Sequence, residues 1–195
     1  MLQSESQMKI MDAIHERRSV RSYSPLRLDA QTIRTLLEAA VWAPTAVHEE
    51  PWAFVIVQEL AVLKRLSDRA KKIFTAQAQQ THPEQAKHLL DILAQPDFNI
   101  FYNASTLIVI CGKPKGPFVV ADCWLAAENL MLAAYSMGLG SCVIGFAVPA
   151  LNTPEIKSEL GIPADCTAIA PIIVGVPTGE TPRTTRKEPE MLAWK

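Results

Sequence analysis

The segment RRSVRSY, residues 17–23, contains the side chains best suited to chemistry in this chain. Arg17, Arg18 and Arg21 place three guanidinium groups within five positions, and the hydroxyl of Ser19 lies between them. A guanidinium group matches phosphate oxygens through two parallel hydrogen bonds, which a lysine ammonium does not provide. Two interpretations are open at this point. The arginines form a solvated helix end, where cations complement the helix dipole, or they form a binding site for a phosphate.

Two later segments add candidate binding residues. GLGSCVIG, residues 138–145, lacks the spacing of a dinucleotide-binding GxGxxG motif, and it follows a predicted helix rather than a strand. Gly138 is typical of a helix end, whereas Gly145 would let backbone N–H groups approach a flat ligand closely. The segment PRTTRKEP adds Arg183 and Arg186, although a charged segment of this kind is usually solvated.

The sequence shows no protein nucleophile and no metal-ligand spacing. The four histidines are scattered, no CxxC motif occurs, and the adjacent Glu49 and Glu50 are poorly placed to face each other. The four cysteines lie in apolar surroundings, which predicts reduced, buried thiols. A chain with phosphate-type arginines but no catalytic triad or P-loop fits a cofactor that performs the chemistry itself.

Composition argues against several classes of protein. The 195 residues, 49% of them hydrophobic, predict one domain over residues 1–195 with a substantial core. The net charge of -1 argues against general nucleic-acid binding. The apolar stretch at 118–151 is interrupted by Asp122, Glu128 and Asn129, which predicts a buried helix and not a membrane span. The first residues lack the apolar region of a signal peptide, so we expect a cytoplasmic location.

The first two helices are predicted from periodicity and capping. Met8, Met11 and Ile14 share one face of a helix that ends at the arginines. Asp29 is placed to cap a second, amphipathic helix. The arginine segment therefore lies between two predicted helices.

The remaining helical patterns differ in character. Residues 118–137 form a helix that is apolar nearly all round, and residues 153–161 carry both an N-cap and a C-terminal glycine. Residues 60–100 are polar and helical in rhythm, with a break at Pro83, which predicts a helical excursion. Residues 180–195 are polar and proline-punctuated, which predicts an extended C-terminal tail.

Three buried strands are predicted, at WAFVIVQ, STLIVIC and CTAIAPIIVGVP. Strands separated by several helices predict an α+β domain. The apolar helix at 118–137 must be covered on more than one side. Either it lies at the centre of a monomer or a partner subunit covers it, and we favour a homodimer.

Four segments occur in a specific order along nearly the whole chain: MDAIHERRSVRSY, LLEAAVWAPTAVHEEPWAFVIV, AENLMLAAYSMGLGSCVIGF and RKEP. In this order they resemble the FMN-dependent nitroreductase family. The resemblance implies an α+β fold with a mixed or antiparallel central sheet flanked by helices. It also implies an intertwined homodimer with FMN sites at the subunit interface and C-terminal segments that embrace the partner.

The resemblance further implies which residues bind FMN. The early arginines and serine would hold the FMN phosphate and ribityl chain, joined at the phosphate by Arg186 and Arg183. The 44–46 loop would reach the flavin of the other subunit, and a backbone N–H at Ile144 or Gly145 would face flavin N5. No catalytic side chain and no metal are implied. The implied cofactor-binding set is Arg17, Arg18, Ser19, Arg21, Pro44, Thr45, Ala46, His48, Ile144, Gly145, Arg183 and Arg186.

The implied activity is that of an FMN-dependent oxidoreductase. It would transfer a hydride from NAD(P)H through flavin N5 to a nitroaromatic, a quinone or a related small-molecule acceptor, by a ping-pong mechanism. His48 and Glu50 stand where the family usually has asparagine and glutamine, so substrate preference and flavin potential are expected to differ. Two alternatives stay open: a different flavin reaction (dehalogenation, flavin destruction or heterocycle oxidation), or a non-catalytic FMN-binding protein.

Overall fold

The computed structural model describes residues 10–81, 90–95 and 97–195, and of residues 77–81 it describes the backbone alone. Met8 and Pro83, predicted to lie on a helix face and at a helix break, fall outside the described residues. The helices used below are α1 (Ile10–Glu16), α2 (Ala30–Val41), α3 (Leu60–Thr81), α4 (Val119–Ser136), α5 (Val148–Leu151) and α6 (Pro154–Leu160). The strands are β1 (Trp52–Val57), β2 (Thr106–Gly112), β3 (Gly140–Val143) and β4 (Thr167–Gly175).

The four strands form one antiparallel sheet in the order β1-β2-β4-β3. All seven residues of β2 are buried, because helices cover both faces of the sheet. Leu107 and Val109 belong to the core cluster that includes α3, α5 and α6, whereas Ile108 and Ile110 belong to the cluster that includes α2 and α4. This alternation follows the two-residue period of a strand. The predicted α+β fold is confirmed.

Capping residues define the ends of α2 and α6 as the sequence predicted. Asp29 Oδ1 accepts a hydrogen bond from the N–H of Thr32 at 2.7 Å, and this bond lowers the pKa of the Asp29 carboxyl. Thr153 Oγ1 accepts from the N–H of Ile156 at 3.4 Å. Gly161 ends α6 with a φ of 69°, in the left-handed region that glycine adopts freely.

The sheet differs from the prediction at both of its edges. No strand was predicted within residues 138–145, and the structure places the four-residue strand β3 there. β3 was missed because it is short, begins with a glycine and follows the end of α4 almost directly. β1 was predicted as fully buried, but Ile56 is exposed because β1 is an edge strand that pairs only with β2.

The predicted apolar face of α1 does not enter the core of this chain. Ile10, Met11 and Ile14 are 63%, 51% and 48% exposed, and only Ala13 of α1 is buried. The helix α4 is likewise covered on one side only, since Trp124 and Leu125 are exposed. These two helices therefore present apolar surface to the outside of the chain.

The four cysteines are free and buried, as their apolar surroundings predicted. Burial raises the pKa of Cys111 to about 11 and that of Cys123 to about 12. Within the described ranges, no helix combines the length and the apolar composition that crossing a membrane requires.

Candidate cofactor-binding site

The arginine segment follows α1 and runs along the outer edge of β3. The N–H of Val20 donates to the carbonyl of Ser141 at 3.0 Å. The Val20 side chain packs against Gly140, where an added Cβ would lie only 2.8 Å from it. The Tyr23 hydroxyl donates back to the Val20 carbonyl at 2.8 Å, and burial raises the pKa of this phenol. The backbone that carries the arginines is therefore fixed to the sheet.

Arg17 and Arg18 are half-buried and only partly satisfied. Arg18 Nη1 donates to the carbonyls of His15 and Arg17, at 2.6 and 2.8 Å. Arg17 Nε lies 3.7 Å from a carboxylate oxygen of Glu128. The Nε atoms of both arginines are buried and have no hydrogen-bond partner within the described residues. Buried donors are normally hydrogen-bonded, so the described part of the chain leaves both guanidinium groups incompletely satisfied.

The C-terminal tail closes this site from the other side. Thr178 attaches the tail to Ser22 through a backbone hydrogen bond of 3.0 Å and a hydroxyl contact of 2.7 Å. The tail then encloses a cavity of about 650 Å³ against the arginine segment. This arginine cavity contains five arginines and no acidic residue among its lining residues. The cavity is lined by Arg17, Arg18, Ser19, Arg21, Thr181, Pro182, Arg183, Thr184, Thr185 and Arg186.

The two tail arginines are exposed and held differently. Arg183 Nη2 lies 3.9 Å from Glu16 Oε1, with its side chain 87% exposed. Glu16 also accepts a hydrogen bond from the Tyr135 hydroxyl at 2.9 Å, which raises the pKa of Tyr135. Arg186 donates only to the neighbouring carbonyl, at 3.4 Å, within the described residues. The guanidinium group of Arg186 therefore has little that fixes it before an anion arrives.

Arg21 is exposed and faces the segment that follows α3. Its guanidinium carbon lies 5.9 Å from the centre of the Tyr102 ring, within the range of a cation–π contact. Its Nη1 reaches the Ser19 carbonyl at 3.5 Å. Tyr102 has a φ of 50°, a backbone conformation that non-glycine residues seldom adopt. Arg21 thus also contacts an aromatic ring that is not among the lining residues of the cavity.

Residues 44–50 form a loop between α2 and β1 with a strained backbone, which we call the 44–50 loop. The φ angles of Val47, His48 and Glu50 are 46°, 58° and 46°, all in the left-handed region. Such angles are costly for a β-branched residue like Val47, and they persist only where the surroundings enforce them. Of the predicted site residues, Pro44 and His48 are exposed, and Thr45 and Ala46 are half-buried.

Two contacts tie the 44–50 loop to the segment around the start of α4. The N–H of Ala46 donates to Asp122 Oδ1 at 3.2 Å. Lys115 Nζ donates to the carbonyl of Glu49 at 2.8 Å. The loop is therefore held in place by residues that lie far away in the sequence.

Ile144 and Gly145 follow β3 on the side of the sheet that faces α3. The N–H of Ile144 already donates to the carbonyl of Pro171 at 2.8 Å. Gly145 is exposed, and the space where its Cβ would stand is open. Between the two predicted donors, this geometry favours the Gly145 N–H. Ile144 is three residues beyond Ser141, or about 10 Å along an extended strand.

The structure brings half of the predicted residues together. The six predicted for the phosphate and ribityl chain all line the arginine cavity, whereas the 44–50 loop and Ile144–Gly145 do not. Three residues that contact predicted site residues were not themselves predicted. Glu16 lies beside Arg183, Tyr102 lies beside Arg21, and Asp122 accepts a hydrogen bond from Ala46. Asp122 was visible only as an acidic residue that interrupts an apolar helix, because its contact with Ala46 spans 76 positions.

Comparisons with known proteins find relatives over most of the chain. The family model described as the Nitroreductase family matches residues 14–176. A provisionally named NADH dehydrogenase/NAD(P)H nitroreductase from Archaeoglobus fulgidus is 31% identical over 172 residues, covering 86% of this chain and 84% of that protein. An iodotyrosine deiodinase from Thermotoga neapolitana is 23% identical over 185 residues, covering 93% of this chain and 96% of that protein.

The fold has a counterpart among solved structures. A crystal structure of a nitroreductase with bound FMN from Bacteroides fragilis matches with a TM-score of 0.82 at 28% identity, covering 96% of this chain and 100% of that chain. The chain belongs to the nitroreductase family.

Proposed function

We propose that this chain is an FMN-dependent oxidoreductase that uses NADH or NADPH to reduce nitroaromatic, quinone or related small-molecule acceptors. The names of its relatives support a reductase, and the nitroreductase from Bacteroides fragilis was crystallised with FMN. The observation that carries the proposal is the arginine cavity, where five guanidinium groups converge on one space.

The residues present fit the phosphate end of FMN. A phosphate monoester carries a charge of about -1.5 to -2 at pH 7 and offers three acceptor oxygens. The side chains of Arg17 and Arg18 line the cavity, and their Nε atoms have no hydrogen-bond partner within the described residues. The exposed Arg186 and Arg183 would close on the same phosphate from the tail. A single phosphate would thus offset part of the positive charge that the five arginines bring to the cavity.

The ring of the cofactor would lie towards Ile144 and Gly145. The strand β3 leads from the arginine cavity to these residues, and about 10 Å of extended strand separates Ser141 from Ile144. When bound there, FMN supplies the hydride chemistry between the nicotinamide donor and the acceptor. The chain itself supplies binding, orientation and a backbone N–H at Gly145, without a covalent nucleophile.

The working form that we propose is a cytoplasmic homodimer of one domain per chain. The apolar faces of α1 and α4 are exposed, and so are Trp42, just before the 44–50 loop, and Val47, within it. Burial of such surface against a second copy is favourable at roughly 25 cal/mol per Å². In this dimer the 44–50 loop of one subunit would approach the FMN of the other.

A second candidate is a different flavin reaction, dehalogenation above all. The similarity to an iodotyrosine deiodinase, over 93% of this chain, favours it. The two candidates share the arginine cavity and differ in the acceptor. Turnover of a quinone and of a halotyrosine under the same conditions distinguishes them.

The first test is an absorption spectrum of the purified protein, followed by anaerobic titration with NADPH and with NADH. We expect a flavin spectrum, release of FMN and not FAD on denaturation, and bleaching by the donor. Reoxidation by a quinone or a nitroaromatic then demonstrates turnover. A colourless protein that takes up no FMN in calorimetry refutes the proposal.

A further inference from the structure

Asp122 is a buried carboxylate that the proposed function does not yet use. Its side chain is 3% exposed, and it lies in the first turn of α4. Oδ1 accepts from the N–H of Ala46, whereas Oδ2 is buried without a hydrogen-bond partner in the described part of the chain. The N-terminus of an 18-residue helix partly offsets the cost of burying this charge. A carboxylate is nevertheless an unfavourable choice for stability alone at this position.

The partner of Asp122 belongs to the most strained segment that the structure describes. Val47, His48 and Glu50 all have positive φ angles, and Ala46 stands immediately before them. A strained backbone of this kind persists only where several surrounding contacts hold it in place, and it is often found at functional sites. The hydrogen bond from the Ala46 N–H to the Asp122 carboxylate fixes the start of this strained stretch.

The far end of the same loop is also held by the segment before α4. Lys115 Nζ donates to the Glu49 carbonyl at 2.8 Å. The Glu49 carboxylate lies over Gly116, where an added Cβ would be 2.7 Å from its nearer oxygen. The loop is thus attached at both ends to one segment, residues 115–122, and Asp122 is the attachment next to Thr45 and Ala46.

We propose that Asp122 is a positioning residue for the cofactor site. Through the N–H of Ala46 it holds the 44–50 loop in the conformation in which Pro44, Thr45 and Ala46 meet the flavin of the partner subunit. The inference rests on the proposed function, since it assigns the loop a flavin contact. It requires an acceptor atom at position 122 and not a negative charge.

Two substitutions separate the acceptor atom from the charge. Asp122→Asn keeps a carbonyl oxygen that accepts from Ala46, and Asp122→Ala removes the acceptor. Ser67→Ala is the matched control, because the Ser67 hydroxyl is also buried and also accepts from a backbone N–H, that of Ile100, at 3.1 Å. Ser67 lies on α3, away from the 44–50 loop.

The first measurement is hydrogen exchange of the peptide that covers the 44–50 loop, in the FMN-free and the FMN-loaded protein. We expect exchange in this peptide to be about tenfold faster in Asp122→Ala, because removal of the acceptor leaves the Ala46 N–H without its hydrogen bond. Asp122→Asn and Ser67→Ala should leave it near the wild-type rate. Unchanged exchange in Asp122→Ala, or an equal increase in Ser67→Ala, overturns the proposal, whether or not the protein binds FMN.

The second measurement is the FMN dissociation constant, with the visible spectrum of the bound flavin. We expect the dissociation constant of Asp122→Ala to rise about tenfold with a shifted flavin band, and that of Ser67→Ala to stay near wild type even where its melting temperature falls. Asp122→Asn should rescue both properties. Equal impairment of Asp122→Asn and Asp122→Ala contradicts the acceptor role. Absence of FMN from the wild-type protein refutes the proposed function instead, and the exchange data then decide the loop contact alone.

Discussion

Arg186→Ala tests the arginine cavity with little disturbance of the fold. The side chain is exposed, and within the described residues its one hydrogen bond is a 3.4 Å contact to the adjacent carbonyl. Its removal therefore breaks no packing in the core. We expect the urea midpoint of the FMN-free protein to be unchanged.

The effect on FMN affinity follows from the charges in the cavity. A hydrogen bond to a charged group contributes roughly 1.5 to 3 kcal/mol, and solvent around an exposed guanidinium favours the lower end of that range. A loss of about 1.4 kcal/mol raises a dissociation constant tenfold. We therefore expect FMN to bind Arg186→Ala about tenfold more weakly than wild type. The difference should shrink at high salt, because the screening length falls from about 10 Å at 0.1 M to about 3 Å at 1 M.

Quenching of FMN fluorescence on titration into the FMN-free protein measures this constant. Arg34→Ala is the matched control, since it removes the same charge from an exposed site on α2 outside the arginine cavity. Arg18→Ala is a less clean probe, because Arg18 also bonds two carbonyls at the end of α1 and its loss affects folding. If Arg186→Ala and Arg34→Ala bind FMN equally well, the tail arginine does not contact the phosphate and the assignment is wrong.

Four further outcomes are expected. Light scattering should give twice the chain mass of 21.5 kDa, and Trp124→Glu, which places a charge on the exposed face of α4, should shift the protein towards the monomer. A stable wild-type monomer would refute the homodimer. Initial rates at several fixed acceptor concentrations should give parallel double-reciprocal lines, since donor and acceptor need the same flavin face; intersecting lines would exclude ping-pong turnover. Glu50→Gln should raise the reduction potential of bound FMN, because it removes a negative charge that would repel the anionic reduced flavin. An unchanged potential would place Glu50 away from the flavin. Burial raises the pKa of the Cys111 and Cys123 thiols above the ordinary 9.0, so unfolded thiols ionise first. The stability from these thiols should therefore be full below about pH 9 and decline as the pH rises through about 11 for Cys111 and about 12 for Cys123. Urea midpoints independent of pH in this window would contradict it.

Local signals in the sequence were sufficient for several elements. The caps of α2 and α6 were predicted because Asp29, Thr153 and Gly161 act on backbone groups within a few positions of themselves. The arginine segment was singled out for the same reason, since its guanidinium groups are close along the chain, and its role in phosphate binding stays a prediction. The family and the α+β fold, given by the order of four segments, are confirmed.

Features that depend on contacts between distant residues could not be predicted from the sequence. The strand β3 exists because β4 offers it an edge, and its four residues have no strong pattern of their own. The 44–50 loop adopts positive φ angles at valine, histidine and glutamate, which no local preference predicts. Asp122 could be recognised as unusual in an apolar helix, but its partner Ala46 could not. The position of Arg183 and Arg186 beside the early arginines came from the resemblance and not from any spacing.

The edge strand β1 has a consequence for how the chain behaves at high concentration. Its sequence, WAFVIV, contains no charge and no proline, and in the described part of the chain it pairs on one side only, with β2. An uncharged, apolar edge of six residues is a template for pairing between chains, and many proteins blunt such edges with lysine or proline. Refolding from denaturant should therefore lose yield to β-rich aggregates as the protein concentration rises. A lysine in place of the exposed Ile56 should protect the refolding chain from this loss.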